Sequence, residues 1–279
     1  MSFNQKTIYF SVLVIIVAVV GGAIFFKKNT RTPAPILPKP EVTLTFIPGW
    51  DLREIAEYIV QKGFASSTED VYRLTGYPAY DYRVTAATLP RVGTGAVVSD
   101  KPGYASYEGY LAPETYRFFA DASVEDIVRK LVDQRDSEID EQIRAGIKNS
   151  GRSVHEIIIM ASILEKEVQK PEDKARVADI LWRRLEKNWA LQVDSSVHYI
   201  VDRSGDVFTR EKERQIDSPW NTYKYPGLPL GPISNPGVDS IKAAVYPEKN
   251  SYWYFLTGKD GTVHYAQTLE QHAANKKYL

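Results

Sequence analysis

The chain has 279 residues, 35 basic and 35 acidic side chains, a formal net charge of zero and no cysteine. Zero net charge leaves no global field to draw in nucleic acid or anionic lipid. The missing cysteines exclude structural disulfides and thiolate chemistry.

Ile8 to Phe26 is an uncharged apolar run of nineteen residues, close to the ~20 needed to cross a bilayer as a helix. It is longer than the apolar core of a signal peptide, and Phe25-Phe26-Lys27-Lys28 is a poor cleavage site. Residues 1–28 are therefore expected to be a retained transmembrane anchor, with the cytoplasmic membrane as a partner. Lys6 precedes the run, while Lys27, Lys28 and Arg31 follow it. This imbalance alone favours a cytoplasmic C-terminal side. Asn29 to Pro40 carries four prolines and is expected to be a stiff spacer, extended at roughly 3.1 Å per residue.

In the body, Val42, Leu44 and Phe46 alternate with threonines as a strand, which Pro48-Gly49 ends. Asp51 caps a helix with apolar Leu52, Ile55, Ala56, Ile59 and Val60. Ser67 or Thr68 opens a second short helix that ends at Gly76. These make a small α/β unit, set at 41–105; residues 77–107 read as irregular. Ser123 starts a helix extending towards Gly146. Ser153 and Glu156 have capping-box spacing, and Val154, Ile157 to Met160, Ile163 and Leu164 make the following helix apolar nearly all round. Such a helix belongs in a protein interior. Ala175 to Asn188 is a further amphipathic helix. Beyond Leu191 the pattern is loops and short strands, with a hairpin on either side of Gly258-Lys-Asp-Gly261 and a short closing helix from Leu269 to Tyr278.

The interior helix ends in Glu165-Lys166-Glu167. At about 100° per residue, Glu167 falls with Met160, Ile163 and Leu164, whereas Glu165 points towards Ile158 and Ser162. Apolar surroundings raise a carboxyl pKa, which suits a general acid or base near neutral pH. The residues alone leave open that the helix simply ends here with both glutamates solvated. The sequence has no nucleophile elbow, phosphate-binding loop, dinucleotide fingerprint or zinc-protease motif. Its four histidines are scattered, so neither a metal nor a cofactor is expected. Carboxylate chemistry, with aromatic and amide partners, remains.

Six motifs then occur in order: Glu108–Tyr116 (EGYLAPETY), Ala161–Glu167 (ASILEKE), Leu191–Asp194 (LQVD), Trp220–Tyr223 (WNTY), Gly227–Gly237 (GLPLGPISNPG) and the hairpin segment Gly261–Tyr265. In these the chain resembles the endolytic murein transglycosylases, the MltG or YceG-like family, over its whole length beyond the spacer. The resemblance implies an α+β protein: an N-terminal transmembrane helix, a small LysM-like subdomain, and a lytic-transglycosylase-like catalytic domain (106–279) with a buried catalytic helix. It implies endolytic cleavage of peptidoglycan glycan strands, leaving 1,6-anhydro-muramyl ends. It is a lyase activity serving cell-wall assembly and glycan chain termination, with wall-synthesis proteins as partners and no nucleic acid. Glu167 would be the acid, matching the Glu-[Ser/Thr] step of other lytic transglycosylases, with Glu165 as the alternative and Glu108 as electrostatic or orienting support. Tyr110, Glu114, Tyr116, Gln192, Asp194, Asn221, Thr222 and Tyr223 would contact substrate. Two departures stand out. Val168 replaces the expected Ser or Thr, removing a hydroxyl beside the acid, and Trp220 replaces the first Tyr of Y-N-T-Y, which should keep a stacking surface. A wall substrate places the body outside the cytoplasmic membrane, and this overrules the few flanking charges. A hydrolytic muramidase and a non-catalytic, membrane-anchored glycan-binding scaffold are the alternatives.

Overall fold

Alternating side chains put Leu44 on the buried face of strand β1 (Glu41–Thr45), and Phe46 just beyond it is buried too. In the computed structural model, which describes residues 39–85, 88–202 and 209–279, β1 pairs antiparallel with β2 (Thr115–Phe119) in the register Leu44↔Tyr116 and Val42↔Phe118. Segments 41–105 and 106–279 thus share a sheet, and residues 41–279 form one compact unit. The apolar run Ile8–Phe26 lies outside the described residues, among which no helix is long and apolar enough to cross a membrane.

Asp51 caps α1 (Leu52–Gln61) through a capping box with Glu54, and the helix buries Leu52, Ile55, Ala56 and Ile59. Helix α2 (Thr68–Thr75) stops at Gly76. A five-residue helix, α3 (Ala96–Asp100), interrupts the stretch expected to be irregular. The helix expected to run from Ser123 towards Gly146 is two helices, α4 (Val124–Glu138) and α5 (Glu141–Ser150). Ile139 leaves the helical backbone, and the Asp140 side chain accepts from Ile143 N to cap a new start.

Helix α6 (Val154–Glu167) is the centre of the body. Every residue from Ile157 to Leu164 is buried, and the helix touches α3, α5, α7 (Pro171–Glu186), α8 (Asp194–Val201) and α9 (Val238–Val245). Helices α8 and α9 correct the expectation of loops and short strands beyond Leu191. Both are eight residues long and rich in β-branched side chains, so propensity hides them and packing on α6 makes them. Strands β3 (Tyr254–Thr257) and β4 (Val263–Ala266) form the expected hairpin, and α10 (Leu269–Asn275) follows.

The Pro/Gly-rich loop 227–237 runs beside α6. Ile233 N donates to Ser162 Oγ at 3.0 Å, and Ser234 Oγ to the Ser162 carbonyl at 3.1 Å. Gly109 fits between this loop and the helix. A Cβ there would lie 2.6 Å from both Ile158 Cγ2 and Pro232 Cβ, and the residue has φ +82°. Overpacking and a left-handed backbone each cost about 1–3 kcal/mol. Gly109→Ala should therefore lower unfolding stability by about 2–5 kcal/mol, read as a reduced denaturant midpoint. An unchanged midpoint would mean that the loop does not press on α6 at this position.

Candidate active site

The three residues that end α6 point three ways. Glu165, on the Ser162 side, is fully occupied: Oε1 accepts from Lys174 Nζ at 3.1 Å, and Oε2 from Gly237 N at 3.0 Å and Ser240 Oγ at 2.6 Å. It joins α7 and the start of α9 to α6. Lys166 is exposed and donates to the Gly49 carbonyl at 3.2 Å. Glu167 makes no ion pair among the described residues. Its Oε1 accepts from Ser195 Oγ at 2.6 Å, and its backbone carbonyl accepts from Thr257 Oγ1 at 2.9 Å. Burial pushes its carboxyl above the usual range; the Ser195 bond opposes this, nearby Asp194 adds to it and Arg184 opposes it. The helix end is therefore not a solvated pair of glutamates.

Glu108 is 1% exposed. Its Oε2 accepts from Leu52 N at 3.0 Å and Tyr199 Oη at 3.1 Å, and its Oε1 from Asn235 Nδ2 at 2.8 Å. Burial holds its pKa well above that of an ordinary carboxyl, with Asp51 adding to the shift. Asn235 also donates from Nδ2 to the Trp50 carbonyl and accepts from Leu111 N. Glu108 therefore ties α1, α8 and two loops together.

Asp194 opens α8, where its Oδ1 accepts from Tyr223 Oη at 2.6 Å and Thr209 Oγ1 at 2.5 Å. Arg214 lies over the Tyr223 ring, 4.7 Å from its centre, and 3.7 Å from Asp194. Thr222 Oγ1 receives Val193 N at 3.1 Å and lies 2.9 Å from Ser196 Oγ. Asn221 is buried and holds its own loop, donating to the Arg214 and Ile216 carbonyls. Gln192 is exposed at φ +53° beside the same loop, with its N–H on the Thr222 carbonyl.

The remaining expected contacts lie elsewhere. Tyr110 is fully buried with its hydroxyl 2.8 Å from His155 Nδ1. Tyr116 is 6% exposed and donates to the Ala112 carbonyl. Glu114 is exposed at the start of β2, on Thr115 N. Trp220 is 5% exposed and packs on Tyr199, so its ring is core rather than a free stacking surface. Sequence reasoning missed Ser195, Tyr199, Lys174 and Asn235. Ser195 and Tyr199 are one turn apart, a spacing that a helix assignment for 194–201 would have exposed.

A cavity of about 160 Å³ lies beside this assembly, lined by Arg53, Glu54, Lys166, Ser195, His198 and Tyr199 among others. A hollow of about 320 Å³ lies at the other end of α6, between Arg152, Trp182 and Leu228. At ~1.5 Å per residue it is roughly 20 Å from Glu167, too far to share its chemistry. No cluster among the described residues could hold a metal ion.

The fold and the ordered motifs define a known class. The model of the YceG-like family matches residues 27–278, and the chain belongs to that family. It is 40% identical over 174 residues to the endolytic murein transglycosylase of Bacillus subtilis (strain 168), covering 62% of this chain and 48% of the relative. It is 28% identical over 258 residues to that of Streptococcus pneumoniae serotype 2, covering 89% and 46%. A crystal structure of a YceG-like protein from Listeria monocytogenes matches with a TM-score of 0.70 at 35% identity, over 85% of this chain and 76% of that one. The chain spans about half the length of the curated relatives it matches.

The raised carboxyl pKa values fix the sign of a pH dependence. A carboxyl with a raised native pKa binds more protons folded than unfolded. Its contribution is present below the unfolded value, near 4.5, and is lost as pH rises through the native value. Glu108→Gln, which stays neutral and keeps an acceptor, should flatten this fall in denaturant midpoint above pH 4.5. A slope equal to wild type would show that Glu108 is ionised at little cost.

Proposed function

We propose that the protein cleaves peptidoglycan glycan strands internally as a lytic transglycosylase, with Glu167 as its acid and base. One observation carries this reading: of the two glutamates of the motif, Glu165 pairs with Lys174 and accepts from Gly237 and Ser240, while the Glu167 carboxyl is held by Ser195, pairs with no cation among the described residues and has an elevated pKa. The names of the relatives support the substrate class.

In this mechanism Glu167 starts protonated and gives its proton to the glycosidic oxygen as the C1–O bond of the muramyl residue breaks. Positive charge develops at C1. The same residue's 6-hydroxyl attacks C1, and Glu167, now a carboxylate, takes the hydroxyl proton. The products are a free 4-hydroxyl and a 1,6-anhydro ring, and Glu167 is returned protonated. Glycosidases that use water generally need a second carboxylate. An intramolecular hydroxyl needs no positioned water and has the advantage of proximity. Asp194, the acid beside Glu167, already accepts from Tyr223 and Thr209, which favours a stabilising role over activation of water. Glu108 is enclosed by protein donors and acts through Tyr199 and Asn235 as a positioning residue. Asp194, Tyr223 and Gln192 are the sugar contacts nearest this arrangement. We read 41–105 as a LysM-like subdomain whose strand β1 pairs with β2 of the segment that follows. The anchor at 1–28 holds the body outside the cytoplasmic membrane, beside the wall-synthesis machinery.

With purified glycan strands and the full chain, mass spectrometry should find anhydro-muramyl ends. Hydrated reducing ends would instead make the enzyme a muramidase. General acid–base help is worth ~10²–10⁴-fold, so Glu167→Gln should lose at least that much turnover with an unchanged circular dichroism spectrum. Glu165→Gln should lose less activity and more stability. The opposite ranking would transfer the acid role to Glu165.

A further inference from the structure

The residue after Glu167 is Val168, which is 2% exposed, caps the end of α6 in extended conformation and brings no hydroxyl. The hydroxyl at Glu167 comes from another element. Ser195, the second residue of α8 and 9% exposed, donates to Glu167 Oε1 at 2.6 Å. That distance is in the range of charge-assisted O–H···O bonds.

Ser195 is itself rigidly placed. Ser196 Oγ donates to the Val193 carbonyl at 2.8 Å and meets Thr222 Oγ1, which fixes the start of α8. One turn on, Tyr199 donates to Glu108, receives Ala79 N at 3.0 Å, and offers its carbonyl to Arg53 at 3.1 Å. Both ends of the turn that presents Ser195 are thereby held.

We propose that Ser195 is the positioning residue for Glu167, supplying from α8 the hydroxyl that Val168 does not. The proposal rests on Glu167 being the acid. With the Ser195 hydroxyl donating to Oε1, the exchangeable proton is assigned to Oε2. The bond also stabilises the carboxylate against burial, which keeps the second half of the reaction accessible. The charged and titratable groups facing Glu167 are Asp194 from α8, Arg184 from α7 and Tyr223 from the loop after Trp220; the hairpin adds the Thr257 hydroxyl on the backbone carbonyl.

The test uses the full chain with Ser195→Ala, Ser195→Thr and Glu167→Gln. A net hydrogen bond to a charged group corresponds to roughly a tenfold to hundredfold effect. Ser195→Ala should lower kcat by about tenfold or more, with KM within about twofold of wild type. The titration of the Glu167 carboxyl, followed by carbon-13 NMR, should move to higher pH. Ser195→Thr, which keeps the hydroxyl, should retain both properties. Should Ser195→Ala not fold, Ser195→Cys, nearly isosteric with a weaker donor, takes its place with the same expected direction. If Glu167→Gln is inactive but removal of the serine hydroxyl leaves kcat and the titration at wild-type values, this proposal fails alone. If Glu167→Gln stays active, the assignment of the acid fails instead.

Discussion

The middle of α6, Ile157 to Leu164, is wholly buried, so the polar groups there and at its C-terminal end are met by other parts of the chain, and that constraint organises the rest of the body. An unmet buried donor or acceptor costs about 1–3 kcal/mol. Ser162 is met by Ile233 and Ser234, Glu165 by Lys174, Gly237 and Ser240, and the Glu167 carbonyl by Thr257. The loop 227–237, the start of α9 and the C-terminal hairpin are thus brought to one helix by its unsatisfied groups as much as by its apolar surface.

The same environment gives three glutamates three different characters. Glu108 is buried with donors from a helix N-terminus, a tyrosine and an asparagine. Glu165 is paired with a lysine whose side chain is 6% exposed. Removing one partner of such a pair generally costs about 3–5 kcal/mol, so Glu165 is committed to holding α7 and α9 in place. Glu167 accepts from the Ser195 hydroxyl and pairs with no cation among the described residues. Two residues of helical rotation separate a carboxylate paired with a lysine from one held by a serine hydroxyl.

Much of this was legible in the sequence, for reasons that differ by element. The capping box at Ser153 and the unbroken apolar run after it specify a buried helix, and helical angle alone separates Glu165 from Glu167. The strand at 41–45 and the closing hairpin follow from alternation and turn residues. Helices α8 and α9 were not legible, because eight residues show too little of a 3.6-residue period and their stability comes from packing. The break at Ile139–Asp140 was hidden because Asp140 is as compatible with an exposed helix position as with a cap. Within the site, Tyr110 and Tyr116 fall in ordered motifs, yet their hydroxyls end on His155 and Ala112. Motif membership identifies a residue the fold needs without saying whether it faces a ligand or the core. Ser195 was hidden for the converse reason: a serine beside an aspartate carries no signal until the helix that aims it is known.

The contacts that close this assembly span long stretches of chain. Glu108 and Asn235 are 127 residues apart, Asn235 and Trp50 are 185 apart, and Thr257 reaches back 90 residues to Glu167. Contacts of such separation form late, because the entropy of closing the loop is lost before the contact repays it. During synthesis, the helix bearing Glu167 emerges well before Ser195, Asn235 or the hairpin exists. A partial or C-terminally clipped chain therefore has the carboxylate without the surroundings that set its proton affinity and aim. The surroundings of Glu167 are therefore complete only once the chain has been made as far as the hairpin that carries Thr257.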